Sequence, residues 1–197
     1  DEASEDFEKM AAISPNEDGY YKTSVLTHAK NRIVWLLFLM FSSIITGAVI
    51  THYEEAFAAL PILVSFIPMI MGTGGNCGSQ SSTLVIRGLA VDEIKAKDFL
   101  KVWWKEIRVA LIVGVIMALV NCIRILIQYH DLQLGIVVGL TLVITIAIAK
   151  SLGSMLPLIC KKLKLDPAIM AAPLISTILD TCSVLVFFNV AVMIMGL

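Results

Sequence analysis

Residues 166–197 read DPAIMAAPLISTILDTCSVLVFFNVAVMIMGL, an apolar run whose only charged side chain after the opening Asp166 is Asp180. Asp-Pro starts a helix well, because the Asp carboxylate caps free N–H groups and Pro at the first position gives up no needed donor. A helix from Pro167 at 1.5 Å per residue carries Asp180 roughly 20 Å into a hydrocarbon layer about 30 Å thick. An acid at a helix centre costs about 2.5–3.5 kcal/mol to insert, so such residues face a watery cavity or a partner and mark an ion or proton route. Ser176 and Thr177 precede it by four and three residues and therefore stack beside it. Ala172 keeps that face narrow, and Pro173 is expected to release a backbone carbonyl one turn earlier.

Four more apolar stretches lie upstream. A bilayer-crossing helix needs about 20 apolar residues. Residues 33–51 meet this as span one. Residues 56–71 begin span two, which carries Pro61 and Pro68 and is expected to break at Gly72-Thr73-Gly74-Gly75-Asn76-Cys77-Gly78 before resuming at 84–90. Residues 109–128 form span three, 132–160 span four, long enough to tilt, and the stretch from Asp166 span five. With 58% hydrophobic and 16% charged residues in 197, the chain exceeds the apolar share of soluble domains. The fold class expected is an all-α membrane protein with five transmembrane helices per subunit: residues 1–30 as a cytoplasmic linker, residues 31–197 as the membrane domain.

Lys30 and Arg32 precede span one; Arg87, Lys95, Lys97, Lys101, Lys105 and Arg108 separate spans two and three; Lys161, Lys162 and Lys164 separate four and five. The opposite loops hold no Lys or Arg, so the basic end is expected to be cytoplasmic and the N-terminus inside. The net charge of −1 averages an acidic N-terminal tail against these basic loops, and no nucleic-acid footprint is present. Cys77, Cys122, Cys160 and Cys182 form no CxxC pair and sit in or beside apolar segments, which argues against a disulfide framework or a zinc site. The chain opens at Asp1 with no initiator Met and no signal stretch, and reads as part of a longer protein. Nothing in it reads as an enzyme.

Irregular backbone at membrane depth is tolerated only where protein or a water-filled cavity surrounds it. The carbonyls ending the first half-helix at such a break, together with Asn76, Gln80, Ser81 and Thr83, would suit a hard cation that keeps much of its water. The competing reading is that these glycines let helices pack closely. Lys150 reads as snorkelling or as a structural partner of Asp180. His28, His52 and His130 lie at or outside span ends and read as solvated. One Asp is sparse for a divalent ion; two subunits meeting along spans two and five would double the ligands on one axis. Thiols do not cluster with His or Met near Asp180, which disfavours soft metals.

Pro68 to Leu84 (PMIMGTGGNCGSQSSTL), continuing to Arg87-Gly88-Leu89-Ala90, and Leu165-Asp166-Pro167-Ala168 through Pro173, Ser176 and Thr177 to Asp180 resemble the MgtE family of magnesium channels or transporters, over nearly the whole chain. The resemblance implies a homodimer in the cell (inner) membrane, with a pore on its two-fold axis built from spans two and five and selecting largely hydrated Mg²⁺. It sets Asp180 on the pore aspartate, with Asn76 on the broken helix beside it; Gly75, Ala172, Ser176 and Thr177, from the reading of the residues themselves, complete the expected metal-site positions, although some relatives carry other residues at Ala172 and Ser176. The family's N-terminal cytoplasmic domain and CBS pair are not in this chain; Glu5 and Asp6 resemble acidic positions near the end of the helix that plugs the pore. Passive Mg²⁺ permeation is the expected activity, with exchange against Na⁺ or H⁺ as the alternative.

Overall fold

The computed structural model describes residues 5, 8–11, 13–15, 19–170 and 172–196. Asp6, one of the two acidic positions that the resemblance puts near the end of the plug helix, lies outside them. Among the described residues the chain is helical and contains no strand. From residue 25 on, the α-helices are α1 (Val25–His52), the short α2 (Glu54–Ala59), α3 (Ile67–Ala90), α4 (Phe99–Tyr129), α5 (Leu132–Lys162) and α6 (Ala172–Met195). Five of them, all but α2, are long and apolar enough to cross a membrane.

Helix ends obey local chemistry more than hydropathy. Ser24 caps α1 by accepting from the Thr27 N–H at 3.2 Å, so the helix starts eight residues before the apolar run and takes Lys30 and Arg32 into its exposed first turns. Asp131 caps α5 in the same way, its Oδ1 accepting from the Leu134 N–H at 2.9 Å. Asp166 does accept from the Ala168 N–H at 2.9 Å, but the backbone then makes a 3₁₀ turn over Pro167–Met170, and α6 begins only at Ala172. Two expectations change as a result. Pro173 sits in the first turn of α6, where its missing N–H has no intrahelical acceptor anyway, so it kinks nothing and frees no carbonyl. Asp180 stands eight residues into α6, about 12 Å from its start instead of 20.

The break expected at Gly72–Gly78 does not occur. α3 runs unbroken from Ile67 to Ala90, and the irregular backbone of span two lies earlier, in a 3₁₀ turn over Pro61–Phe66. The glycines serve packing. Lipid tails are as apolar as side chains, so close van der Waals contact and polar bonds hold membrane helices together, and small residues allow the approach. A Cβ on Gly153 of α5 would collide with the carbonyl oxygen of Gly78, and a Cβ on Gly78 would collide with Leu179 of α6.

Helix α5 is the hub, with α4, α3 and α6 packed around it, while α1 reaches the bundle through α6. One end of the core joins Leu63, Phe66, Ile67 and Ile70 to Leu142, Val184, Phe187 and Phe188. Tyr53 stacks on Phe188 at 4.9 Å and its hydroxyl accepts from Asn189 Nδ2 at 3.0 Å, pinning the end of α1 to α6.

At the basic end, Lys9 bridges the N-terminal segment to the α5–α6 connection by a 2.7 Å ion pair with Asp166 and a second with Glu5. Partial burial pushes the Asp166 carboxyl up, but the Lys9 hydrogen bond, the Ala168 N–H and the charge of Lys161 outweigh it and hold the group below its ordinary range; the same pairing raises Lys9. A depressed acid stabilises above its unfolded pKa and a raised base below its own, so protection of the segment from proteolysis is expected to stay flat from about pH 5 to 10 and to fall below about pH 4. Lys9→Ala should remove that acid-dependent step.

Candidate ion pathway on the open edge of the last helix

The sequence singles out Asp180, and its neighbours on α6 show where it points. Ser176 and Ser183 meet α3: a Cβ on Gly75 would stand 3.1 Å from Ser176 Oγ, and one on Gly74 would press on Ser183. Thr181 meets α1, its hydroxyl 2.7 Å from that of Thr46. At about 100° per residue, Asp180 and Thr177 fall on the arc of α6 between those two neighbours, about 40° and 100° from Ser176. Pro173, Ser176, Thr177 and Asp180 are all half-buried, as a strip open along one edge would be. One turn beyond Asp180 the strip closes, because Val184 and Phe187 are 1% and 0% exposed beneath the Phe66 cluster.

Within this strip Thr177 Oγ1 donates to the Pro173 carbonyl at 2.9 Å, leaving its oxygen lone pairs free to accept or ligate. Gly75 is buried against Ser176, so both belong to the same seam. Ala172 is the first residue of α6. Asn76 is exposed, about 100° around α3 from Gly75, and no hydrogen bond joins it to Asp180 within the chain. The structure thus sets Ser176, Thr177 and Asp180 along one edge of α6, brings Gly75 of α3 against Ser176, and leaves Asn76 on the outer face of α3. That face carries Gly72, Asn76, Gln80, Thr83 and Arg87, all exposed. A helix of membrane length with a polar stripe this long needs water or a second protein surface along it, since lipid satisfies none of those groups.

Among the described residues Asp180 has no hydrogen-bond or ion-pair partner. The pairing with Lys150 considered from sequence is absent: Lys150, 5% exposed, lies with its Nζ 3.7 Å from Glu106 Oε2 and donates to Ser81 Oγ at 3.2 Å. Nor does Lys150 snorkel. Sequence reasoning missed Glu106, which stands in the first turns of α4 among Lys101, Lys105 and Arg108; an acid in so basic a stretch was the available signal. No three His, Cys, Asp or Glu side chains among the described residues converge as a metal-holding group. At the basic end, a cavity of about 1060 Å³ lies between the last turns of α3 and the 3₁₀ turn before α6, lined by Lys9, Ile86, Leu89, Lys161, Asp166 and Ala168 among others.

Residues 67–190 match the model of the MgtE family, described as divalent cation transporters. The magnesium transporter MgtE of Bacillus subtilis is 36% identical over 190 residues, 96% of this chain and 42% of that protein. Those of Enterococcus faecalis and Thermus thermophilus are 34% and 32% identical over 195 and 190 residues, 99% and 96% of this chain and again 42% of each relative. The chain therefore spans less than half the length of these relatives.

Proposed function

This chain belongs to the MgtE family of divalent cation transporters, and on that premise we propose that it forms the membrane domain of a Mg²⁺-selective channel. Two copies face each other across α3 and α6, and hydrated Mg²⁺ passes along the axis between their Asp180 carboxylates. The basic end is cytoplasmic, and the regulatory domains precede this segment in the whole protein. The observation that carries the reading is Asp180 itself, a half-buried carboxylate in a membrane helix, without a partner among the described residues and beside the Gly75–Ser176 seam. A single acid is tolerable there if a cation and its water neutralise it.

Ser176, Thr177 and Ala172 shape the strip next to it. Hydroxyl and carbonyl oxygens with little formal charge suit an ion that keeps its hydration shell, because Mg²⁺ dehydrates reluctantly. Asn76, Gln80 and Thr83 on the outer stripe of α3 then border the same water or the partner subunit.

The full-length protein in proteoliposomes tests the transport mode. A channel gives a reversal potential that follows the Mg²⁺ gradient alone, close to 30 mV per tenfold for a divalent ion at 25 °C (about half the 59 mV of a single charge). A reversal potential that moves with pH or Na⁺ at fixed Mg²⁺ would establish coupled exchange instead.

A further inference from the structure

The buried cluster of Glu106, Ser81 and Lys150 plays no part in the Asp180 pathway. Ser81 on α3 is fully buried; its Oγ donates to Glu106 Oε2 of α4 at 2.6 Å and accepts from Lys150 Nζ of α5 at 3.2 Å. The carboxylate and ammonium side chains are only 12% and 7% exposed. One hydroxyl thus ties three helices. Helix α4 packs mainly on α5, and the Glu106–Ser81 bond ties it to α3 as well. Two further bonds stiffen the cluster: Trp103 Nε1 donates to Ser151 Oγ at 3.1 Å, and Ser154 Oγ donates to the Lys150 carbonyl at 2.7 Å.

A buried ion pair adds little net stability, since desolvation offsets much of the attraction; its best-attested use is to fix register. Helix α3 needs such a device. Between Ile70 and Val85 its inward face is smooth, with Gly74, Gly75 and Gly78 against α5 and α6, and small residues pack closely but set an axial position only weakly. The cluster lies one turn from the Gly78–Gly153 crossing, with Ser81 three residues after Gly78 and Lys150 three before Gly153. A slip of one turn, about 5.4 Å, would take Gly78 off Gly153 and Gly75 off Ser176.

We infer that Glu106, Ser81 and Lys150 are positioning residues that set the register of α3, and through it the placement of Gly75 and Asn76 relative to Ser176 and Asp180. This rests on the pathway reading only for its effect on transport. The clamp itself has a readout that needs no conduction.

The test uses full-length protein with two variants. Glu106→Gln/Lys150→Met removes both charges at similar volume, and Ser81→Ala removes only the linking hydroxyl. Both are expected to assemble with a wild-type elution volume and thermal midpoint, yet to shift Mg²⁺ half-saturation, or Mg²⁺ over Ca²⁺ selectivity, by about threefold or more. The modification rate of Asn76→Cys by a charged thiol reagent, in a background with the native cysteines changed to alanine, should change by a similar factor. Lys150→Arg, which keeps the charge, should leave both close to wild type. Wild-type transport parameters and labelling rate in Ser81→Ala would overturn the proposal, whether or not the double variant folds. If Asp180→Asn keeps full flux while Ser81→Ala alters labelling, the pathway reading falls and the clamp stands.

Discussion

Asp180→Asn is expected to reduce Mg²⁺ flux in proteoliposomes by more than tenfold while leaving the protein as stable as the wild type. A divalent ion about 5 Å from one carboxylate gains roughly 6–7 kcal/mol at an effective dielectric constant near 20. Losing even a quarter of that attraction exceeds the roughly 1.4 kcal/mol that makes a factor of ten, and the dimer would lose it twice. Stability should hold because no described group depends on this carboxylate: Thr181, next to it, bonds Thr46 through its own hydroxyl, and Lys150 is satisfied by Glu106 and Ser81. Asn also costs less than Asp to keep at membrane depth. A variant that conducts normally, or one whose thermal midpoint collapses, would show that Asp180 is not the ion's counter-charge.

Gly153→Ala is expected to damage the fold more than any other single-methyl addition along this seam. Its Cβ would strike backbone at Gly78, and a carbonyl cannot move aside as a side-chain tip can. Overpacking of this kind costs about 1–3 kcal/mol, and more where backbone must shift. Gly78→Ala meets the ends of Leu179 and Ile175, which can partly give way, and should cost less. Gly72→Ala, with nothing within 4 Å, should be neutral or stabilising by up to about 1 kcal/mol, since alanine is the better helix former. Thermal midpoints of the three variants in detergent should rank in that order. Equal midpoints for Gly153→Ala and Gly72→Ala would mean that the α3–α5 crossing is looser than the Gly78–Gly153 contact requires.

The five spans were legible because about twenty apolar residues without charge have few uses outside a bilayer. Their ends were less so. Val25 and Phe99 open helices whose first turns carry Lys30 and Arg32 in one and Lys101, Lys105 and Arg108 in the other, and hydropathy does not register a helix that continues into the interface. The glycine stretch misled in a different way. Gly72 to Gly78 has the composition of a broken helix, and whether glycine breaks or packs depends on what lies opposite; the partners, Gly153, Ser176 and Ser183, sit 75 to 109 residues further along the chain. Asp180 could be picked out alone because a lone acid in an apolar helix is costly wherever it points. The partner of Lys150 could not, since Glu106 stands in a run of lysines and arginines that reads as a loop and joins the cluster only once α4 packs on α5.

Direct labelling of position 180 addresses the central claim most closely. With Cys77, Cys122, Cys160 and Cys182 replaced by alanine, Asp180→Cys in the full-length protein is treated with a small, membrane-impermeant cationic thiol reagent, with and without Mg²⁺. An aqueous pathway requires rapid modification by this reagent; because the substitution also removes the charge that holds the ion, Mg²⁺ should slow it only at concentrations well above the wild-type half-saturation. Modification only by a lipid-soluble reagent, unaffected by Mg²⁺, would place residue 180 against lipid and contradict the account.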